Sequence, residues 1–351
     1  MQLHHLLTGS YTNSTLFLLA FDTISRTLTL NSTIPGFGLH QFVTSNAAKN
    51  RVYANPMSEP PRLFTWGVDQ DYQFTHPSII NTTSSACYIS DDDQYSFSAG
   101  GPTAQINYLV EDVDRVDKTQ GAVLHGAHAF DVNVNNKGFV PHLGMNSIFT
   151  YDIADNGTAQ LLSINLSPTE GDGPRNSYPS EDGKLLYVVT EHSDLCSYGL
   201  IVLELTISIP AQWLDVYEIG ETQLNIYSVP VNTVRPSRDG KYLFTSTRSW
   251  NCPEVNGYAA AFEVDDAGYL TKEDAVSFYE APMTLGSAGR LRVAPWEDET
   301  KCDPEGPTDY MYLSDTSEGW IYILDWTPSN QTLDLVASLQ YPDNASPYEA
   351  T

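Results

Sequence analysis

Four side chains that can bind anions and move protons occupy comparable places in the sequence. Arg175 and Glu191 lie near the two ends of the stretch GPRNSYPSEDGKLLYVVTEH (173–192). His125 lies in AVLHGAHAFD and Arg248 in LFTSTRSW. Two arginines can hold carboxylates or other oxyanions by forked hydrogen bonds, and a shielded histidine and glutamate suit acid–base catalysis. The residue types predict a site for an anionic substrate if the fold brings them together.

The segments that must position these residues have the pattern of strands. Residues 184–190 are apolar and β-branched and follow an Asp182–Gly183 turn, which is typical of a strand after a tight turn. Helical periodicity is nearly absent from the chain. The same plan, a polar turn and then a strand rich in Tyr, Phe, Leu and Val, recurs at 47–56, 90–100, 134–144, 180–190, 237–247 and 306–316.

The repeated strands predict the whole architecture. The N-terminal segment 4–22 is a similar two-strand unit without the strand that should precede it. Seven units at intervals of roughly 40–70 residues predict an all-β, seven-bladed β-propeller, with 1–351 as a single domain. The C-terminal residues, about 345–351, are expected to supply the missing innermost strand, so that the N- and C-terminal strands pair and close the ring. Surface loops are predicted near 59–80, 205–232 and 296–308.

Propeller geometry indicates where the four side chains go. The innermost and second strands of a blade are antiparallel, so the start of the first and the end of the second lie at one mouth of the central channel. Arg175 precedes the first strand of its blade and Glu191 ends the second. The same reasoning brings His125 and Arg248 to this mouth from the two adjacent blades. The residues alone leave two interpretations open: an acid–base site, or a structural ion pair beside a buried histidine.

The chain also resembles a known family. The segments that carry the likeness are LHHLLTGSY, LHGAHAFD, GPRNSYPSEDGKLLYVVTEH, YLFTSTRSW…NGYAAAFEV and EGWIYILDW. They are similar, in the same order, to fungal 3-carboxy-cis,cis-muconate cyclases, within the wider family of propeller lactonases that includes 6-phosphogluconolactonase. The resemblance implies a seven-bladed propeller that needs no metal or other cofactor. The family's catalytic residues fall on His125, Arg175, Glu191 and Arg248.

One stretch departs from the family. Where relatives carry a GGHSN-like sequence, this chain reads LGSAGRLRVAPW (285–296). Arg290 lies there and is predicted to bind substrate together with Arg175 and Arg248. Tyr11 and Trp250 are predicted to line an apolar part of the substrate-binding mouth. The substrate contacts of this chain are therefore expected to differ from those of the muconate enzymes.

The resemblance implies a cyclase or cycloisomerase that closes a ring on a small unsaturated substrate in the channel. The arginines would hold anionic oxygens and stabilise a developing enolate, while His125 or Glu191 transfers the proton. Three alternatives stay open. One is a pericyclase of the hetero-Diels–Alder type in fungal natural-product biosynthesis. The others are a lactonase that hydrolyses a sugar or other lactone and a non-catalytic ligand-binding propeller.

Charge excludes some classes of partner. The formal net charge is −27, from 17 basic and 44 acidic residues, and no Lys/Arg cluster occurs. Nucleic acids and anionic membranes are therefore not expected as partners. No apolar run approaches the ~20 residues of a membrane-spanning helix. A small-molecule substrate is the expected partner, and the sequence leaves open whether the chain forms a homo-oligomer.

The sequons favour the secretory pathway, with the cytoplasm as the alternative, and the four cysteines fit either disulfides or buried thiols. Seven Asn-x-Ser/Thr sequons exceed the roughly three expected by chance and predict a glycoprotein. They lie at Asn13, Asn31, Asn81, Asn156, Asn165, Asn330 and Asn344. Cys196 and Cys252 follow equivalent strands of neighbouring blades and are the favoured disulfide pair; Cys252 with Cys302 is the alternative pairing. No signal-peptide pattern is visible at the N-terminus.

Overall fold

Short antiparallel strands make up the fold. The computed structural model describes residues 3–10, 12–56, 60–82, 85–91, 96–100, 103–106, 111–112, 126–167, 170–191, 199–206, 209–218, 231–247, 256–272, 274–284, 288–296, 308–342 and 345–351. Within these ranges there are 28 β-strands and no α-helix, and the strands form seven four-stranded sheets. No helix in the described part of the chain is long and apolar enough to cross a membrane. The predicted all-β propeller is confirmed.

Each sheet is an antiparallel meander, and its strands can be counted from the centre outward. Sheets 1 to 3 consist of β28 (Pro347–Ala350), β1 (Leu3–Ser10), β2 (Thr15–Asp22) and β3 (Thr27–Pro35); β4 (His40–Ser45), β5 (Arg51–Pro56), β6 (Arg62–Gly67) and β7 (Ser78–Asn81); and β8 (Tyr88–Asp91), β9 (Ser96–Gly100), β10 (Thr103–Ile106) and β11 (Glu111–Asp112). Sheets 4 and 5 consist of β12 (Asp131–Val132), β13 (Lys137–His142), β14 (Ser147–Ile153) and β15 (Ala159–Leu166); and β16 (Pro174–Pro179), β17 (Leu185–Thr190), β18 (Gly199–Thr206) and β19 (Ile209–Glu218). Sheets 6 and 7 consist of β20 (Val231–Pro236), β21 (Tyr242–Thr247), β22 (Asn256–Glu263) and β23 (Ser277–Thr284); and β24 (Ala288–Val293), β25 (Asp309–Asp315), β26 (Trp320–Thr327) and β27 (Thr332–Gln340).

The innermost strands surround a central channel. Each lies beside the innermost strand of the next sheet: β4 beside β8, β16 beside β20, and β20 beside β24. Between sheets 3 and 4, Ser90 Oγ donates to the backbone oxygen of Phe130 at 2.5 Å. Sheet 1 takes its innermost strand from the end of the chain, because β28 pairs with β1 and Leu7 and Thr351 exchange two backbone hydrogen bonds of 2.9 Å.

The hydrophobic core lies between neighbouring sheets. All six residues of β17 are buried, and six of the eight in β2 are buried, because middle strands are covered on both faces. Outer strands differ: β15 is mostly exposed. Separate clusters of buried side chains join sheets 1 and 2, sheets 5 and 6, and sheets 6 and 7. This burial holds the sheets in a fixed arrangement and so fixes the walls of the channel.

The turns of sheets 5 and 6 confirm the internal repeat at the level of hydrogen bonds. In SEDGK, Ser180 Oγ donates to Asp182 Oδ1 at 2.7 Å and Gly183 adopts a φ of 69°. In SRDGK, Ser237 Oγ donates to Asp239 Oδ1 at 2.7 Å and the glycine φ is 71°. The left-handed backbone at the fourth residue explains why glycine stands there in both turns.

Two of the three predicted surface loops are wrong. The segment 59–80 contains β6 and most of β7, and the segment 205–232 contains β19. All four residues of β7 are exposed, so no hydrophobic alternation marks it as a strand. Outer strands that pair along one edge only can form without the buried face on which the sequence prediction depended. For the third segment, residues 297–307 lie outside the described residues.

Candidate active site at one mouth of the channel

A β-bulge marks the start of several innermost strands. In sheet 5, Pro174 pairs with Thr190 and Asn176 pairs with Val189, so Arg175 is an extra residue between the two pairs. A bulge of this kind re-aims the side chain that it carries. The equivalent extra residues in sheets 2, 6 and 7 are Gln41, Asn232 and Gly289.

Cys87 has the same place in sheet 3. Its N–H donates to Ala99 O at 2.9 Å, while the next residue, Tyr88, also pairs with Ala99. We call these five positions, Gln41, Cys87, Arg175, Asn232 and Gly289, the mouth tier. They lie at equal depth at the end of the channel where the innermost strands begin.

Arg175 is the best-defined member of the mouth tier. Its side chain is 2% exposed, and its Nε donates to Glu191 Oε2 at 2.7 Å. Nη1 donates to the backbone oxygen of Asn232 at 3.1 Å and also to Asn232 Oδ1. Glu191 is 11% exposed, and its own N–H donates to Gly173 O at 2.9 Å. The structure thus brings Arg175 and Glu191 together, at the mouth where the antiparallel strands place them.

The arrangement combines a fixed cation with a proton acceptor. Three hydrogen bonds orient the guanidinium before any ligand arrives, and Glu191 is the carboxylate to which it is paired. A guanidinium held in this way can bind a carboxylate or stabilise an oxyanion. The same contact would also stabilise the mouth of a propeller without any catalytic role. The geometry is therefore compatible with both interpretations left open by the sequence.

Two neighbours of this pair were missed by the sequence analysis. Asn232 occupies the position in sheet 6 that Arg175 occupies in sheet 5, but an uncharged asparagine does not stand out in the sequence as an anion-binding or proton-transfer group. Cys87 is buried, and burial raises the pKa of its thiol. The charges of Arg175 and Arg290 oppose this rise and that of Glu191 adds to it, so the sulfur lies within electrostatic range of all three. The sequence feature that Asn232 and Cys87 share with Arg175 is a place just before or at the start of an innermost strand.

Arg290 lies one residue further into the channel. It follows the mouth-tier residue Gly289, as Phe42 follows Gln41, so Arg290 and Phe42 are at equal depth in sheets 7 and 2. Arg290 is fully buried, with its guanidinium carbon 4.0 Å from the centroid of the Phe42 ring. This is a cation–π contact across the channel. Whether Arg290 also binds substrate stays a prediction.

Several predicted residues have no structural description. His125, Arg248, Tyr11, Trp250, Cys196, Cys252, Cys302 and Asn344 lie outside the described residues. Of the other sequons, Asn31, Asn81, Asn156 and Asn330 are exposed and Asn13 is partly exposed. Asn165 is 9% exposed and its Nδ2 donates to Ser163 Oγ at 3.0 Å, which disfavours a glycan at this asparagine. In the described ranges, no group of three or more His, Cys, Asp or Glu is placed to hold a metal ion.

Comparison with known proteins identifies the family. Residues 5–291 match the family model described as lactonase, 7-bladed beta-propeller. The chain belongs to this lactonase family. Muconate cycloisomerase 1 of Cutaneotrichosporon cutaneum is 23% identical to the chain, over 96% of this chain and 94% of the relative. The lactonase-family membership and this relative agree with the resemblance seen in the sequence.

Solved structures support the fold of this lactonase-family chain. The periplasmic gluconolactonase of Pseudomonas aeruginosa superposes with a TM-score of 0.72 at 16% identity, covering 100% of this chain and 99% of the other. A 6-phosphogluconolactonase-like protein of Bacteroides uniformis gives a TM-score of 0.72 at 13% identity, with the same coverage of 100% and 99%. At these identities the likeness establishes the fold and leaves the reaction to the chemistry of the site.

Proposed function

We propose that this lactonase-family propeller is a cycloisomerase that closes a lactone ring on a small unsaturated carboxylate. The observation that carries the proposal is the buried Arg175–Glu191 pair, with Nε and Oε2 2.7 Å apart at one mouth of the channel. Its support is the full-length similarity to a muconate cycloisomerase. The substrate class follows from the guanidinium, which recognises carboxylates, and from the relative's name.

In the proposed reaction, a carboxylate oxygen of the substrate adds to a conjugated double bond of the same molecule. A C–O bond forms, the π bond breaks and negative charge develops on a second carboxyl group as an enolate. Arg175, with Arg248, stabilises that charge. The enolate carbon then takes up a proton, so the product is an isomer of the substrate. His125 is the proposed donor of that proton, and Glu191 holds the Arg175 guanidinium in place beside the developing charge.

A lactonase is the second candidate, and the family model favours it. In this reaction Glu191 would activate a water molecule, whose oxygen attacks the lactone carbonyl. The C–O bond of the ring breaks and a hydroxy acid is released. Arg175 would stabilise the oxyanion of the tetrahedral intermediate. The two reactions use the same pair of residues and differ in whether water is consumed.

Mass spectrometry of the products separates the two functions. The purified protein is incubated with cis,cis-muconate or 3-carboxy-cis,cis-muconate in one series and with a gluconolactone in another. A new product of unchanged mass that has lost the absorbance of the conjugated diene supports the cycloisomerase, and a gain of one water from the lactone supports the lactonase. Under either, Arg175→Gln should lower kcat/KM about 100-fold or more, because it removes an oxyanion-binding group.

The matched control is Lys184→Gln, which removes an exposed positive charge from the same sheet. It should leave kcat/KM unchanged. Full activity in both Arg175→Gln and Glu191→Gln would contradict the proposed site. A pH–rate profile adds an independent check, since acid–base chemistry gives a pH-dependent rate and a pericyclic step a nearly flat one.

A further inference from the structure

The opposite mouth of the channel opens into a cavity of about 1140 Å³. Its wall includes the residues three positions after each member of the mouth tier: Thr44, Ser90, Tyr178, Arg235 and Arg292. We call these five residues the inner tier. Arg175, Glu191 and Asn232 do not line this cavity. The cavity is therefore a separate place in the channel, on the other side of the layer that holds Arg290 and Phe42.

Two arginines of the inner tier come from neighbouring strands. Arg235 belongs to β20 and Arg292 to β24, which are neighbouring innermost strands. Both lie three residues beyond a bulge, so the strand register places them at equal depth. The chain has only 17 basic residues, and two of them line this cavity at the same depth.

Arg235 is oriented by the protein itself. Its Nη1 donates to Asn176 Oδ1 at 2.9 Å and to Val234 O at 2.7 Å. The guanidinium carbon lies 5.4 Å from the centroid of the Tyr178 ring. These contacts fix the direction of the charged group, which lowers the entropy cost of binding an anion.

Six acidic residues in the described part of the chain line the cavity: Asp131, Glu181, Asp182, Asp239, Asp265 and Asp266. Asp265 accepts hydrogen bonds from backbone N–H groups of its own turn, and three others have side-chain partners. Asp131 accepts hydrogen bonds from Tyr88 Oη at 2.5 Å and from Ser177 Oγ at 2.9 Å. At the rim, Asp182 is paired with Lys184 at 2.7 Å. Asp239 is 3.9 Å from Lys241. Aromatic residues also line the cavity: Trp296 stacks on His4, and Tyr72, which is 41% exposed, lies tilted against His5, with ring centroids 3.8 Å apart in each pair.

We propose that this cavity is a second ligand site, which binds a small organic carboxylate between Arg235 and Arg292. Two guanidiniums at equal depth match the two oxygens of a carboxylate. The aromatic walls provide apolar surface for its carbon skeleton, which inorganic phosphate could not use. The site does not depend on the proposed reaction, since it shares no residue with the Arg175–Glu191 pair.

Calorimetric titration with benzoate tests the site, with inorganic phosphate as the comparison anion. Wild-type protein should bind benzoate more tightly than phosphate. Arg235→Gln/Arg292→Gln should weaken benzoate binding about tenfold or more, because each arginine contributes charged hydrogen bonds. Arg292→Gln alone should weaken it by a smaller factor, and it leaves the Arg235–Asn176 contact in place. Lys241→Gln, which removes one charge from the rim of the same mouth, is the matched control and should change the Kd less than about twofold.

Arg175→Gln separates the new site from the candidate active site. It should leave benzoate binding unchanged even where it abolishes turnover. Loss of benzoate binding in Arg175→Gln would assign the ligand to the other mouth and overturn the inference. Wild-type affinity in both Arg292→Gln and the double variant would also overturn it. Phosphate binding as tightly as benzoate would refute the preference for an organic acid.

Discussion

The Arg175–Glu191 contact has an energy that can be worked out from its burial. The two side chains are 2% and 11% exposed, so both charges are largely removed from water. Glu191→Gln keeps the size of the side chain but leaves a buried guanidinium without its counter-charge. Breaking one partner of a buried ion pair typically costs about 3–5 kcal/mol, and the small exposure of Glu191 places the expected loss near the lower end, about 3 kcal/mol.

A double-mutant cycle measures the pair itself. Arg175→Met removes the other charge and should also cost about 3 kcal/mol, since Glu191 then lacks its partner. The combined variant should lower the free energy of unfolding by about 3 kcal/mol rather than by the sum of the two losses, because it buries no charge without a partner. The expected coupling energy is therefore about 3 kcal/mol. Urea denaturation of the four proteins gives the free energies of unfolding, provided that the slopes against urea concentration agree.

An exposed ion pair in the same sheet provides the control. Lys184 Nζ lies 2.7 Å from Asp182 Oδ2, but the two side chains are 75% and 52% exposed. Water screens such a pair, so Lys184→Gln should leave the urea midpoint unchanged. A Glu191→Gln midpoint equal to that of this control would refute the reasoning from burial. Additive losses in the cycle, within about 0.5 kcal/mol, would show that Arg175 and Glu191 do not interact in the folded protein.

Three further predictions concern stability and the site. Burial lowers the pKa of His40 and His142 to about 4 from an ordinary 6.5. The folded state then binds fewer protons than the unfolded state, so the unfolding free energy should fall by roughly 3 kcal/mol per histidine as the pH drops from about 6.5 to about 4. An unfolding free energy from urea titrations that does not change over this pH range would contradict the prediction. Gly268→Ala should lower Tm more than Gly240→Ala: both glycines have positive φ, but only at Gly268 would a Cβ clash, 2.6 Å from a tyrosine oxygen. Asn232→Ala should lower kcat/KM about tenfold, because the Arg175 guanidinium loses a hydrogen-bond acceptor that orients it. Stability and KM are measured separately, and Asn232→Asp, which keeps an acceptor oxygen, should retain most of the wild-type kcat/KM.

The sequence alone was sufficient for the fold class and for one contact of the site. Turn residues and apolar strand runs are local properties, and they repeat in SEDGK and SRDGK with the same hydrogen bonds. Arg175 and Glu191 lie at the ends of two successive antiparallel strands, so pairing within one hairpin brings them together. The hydrophobic pattern failed where burial is absent, as in β7, because an exposed strand carries no alternation to detect.

The contacts between sheets were decided by the tertiary structure. Arg290 lies over Phe42, Arg175 donates to Asn232, and Cys87 shares the electrostatic surroundings of both arginines. None of these pairs is near in sequence. The bulges set which residue of each innermost strand stands at a given depth, and the ring of sheets brings equal depths together across the channel. The sequence of a hairpin indicates which of its strands pair, whereas the shape of the channel depends on the packing of all the sheets at once. The mouth tier and the inner tier therefore became visible only in the folded molecule.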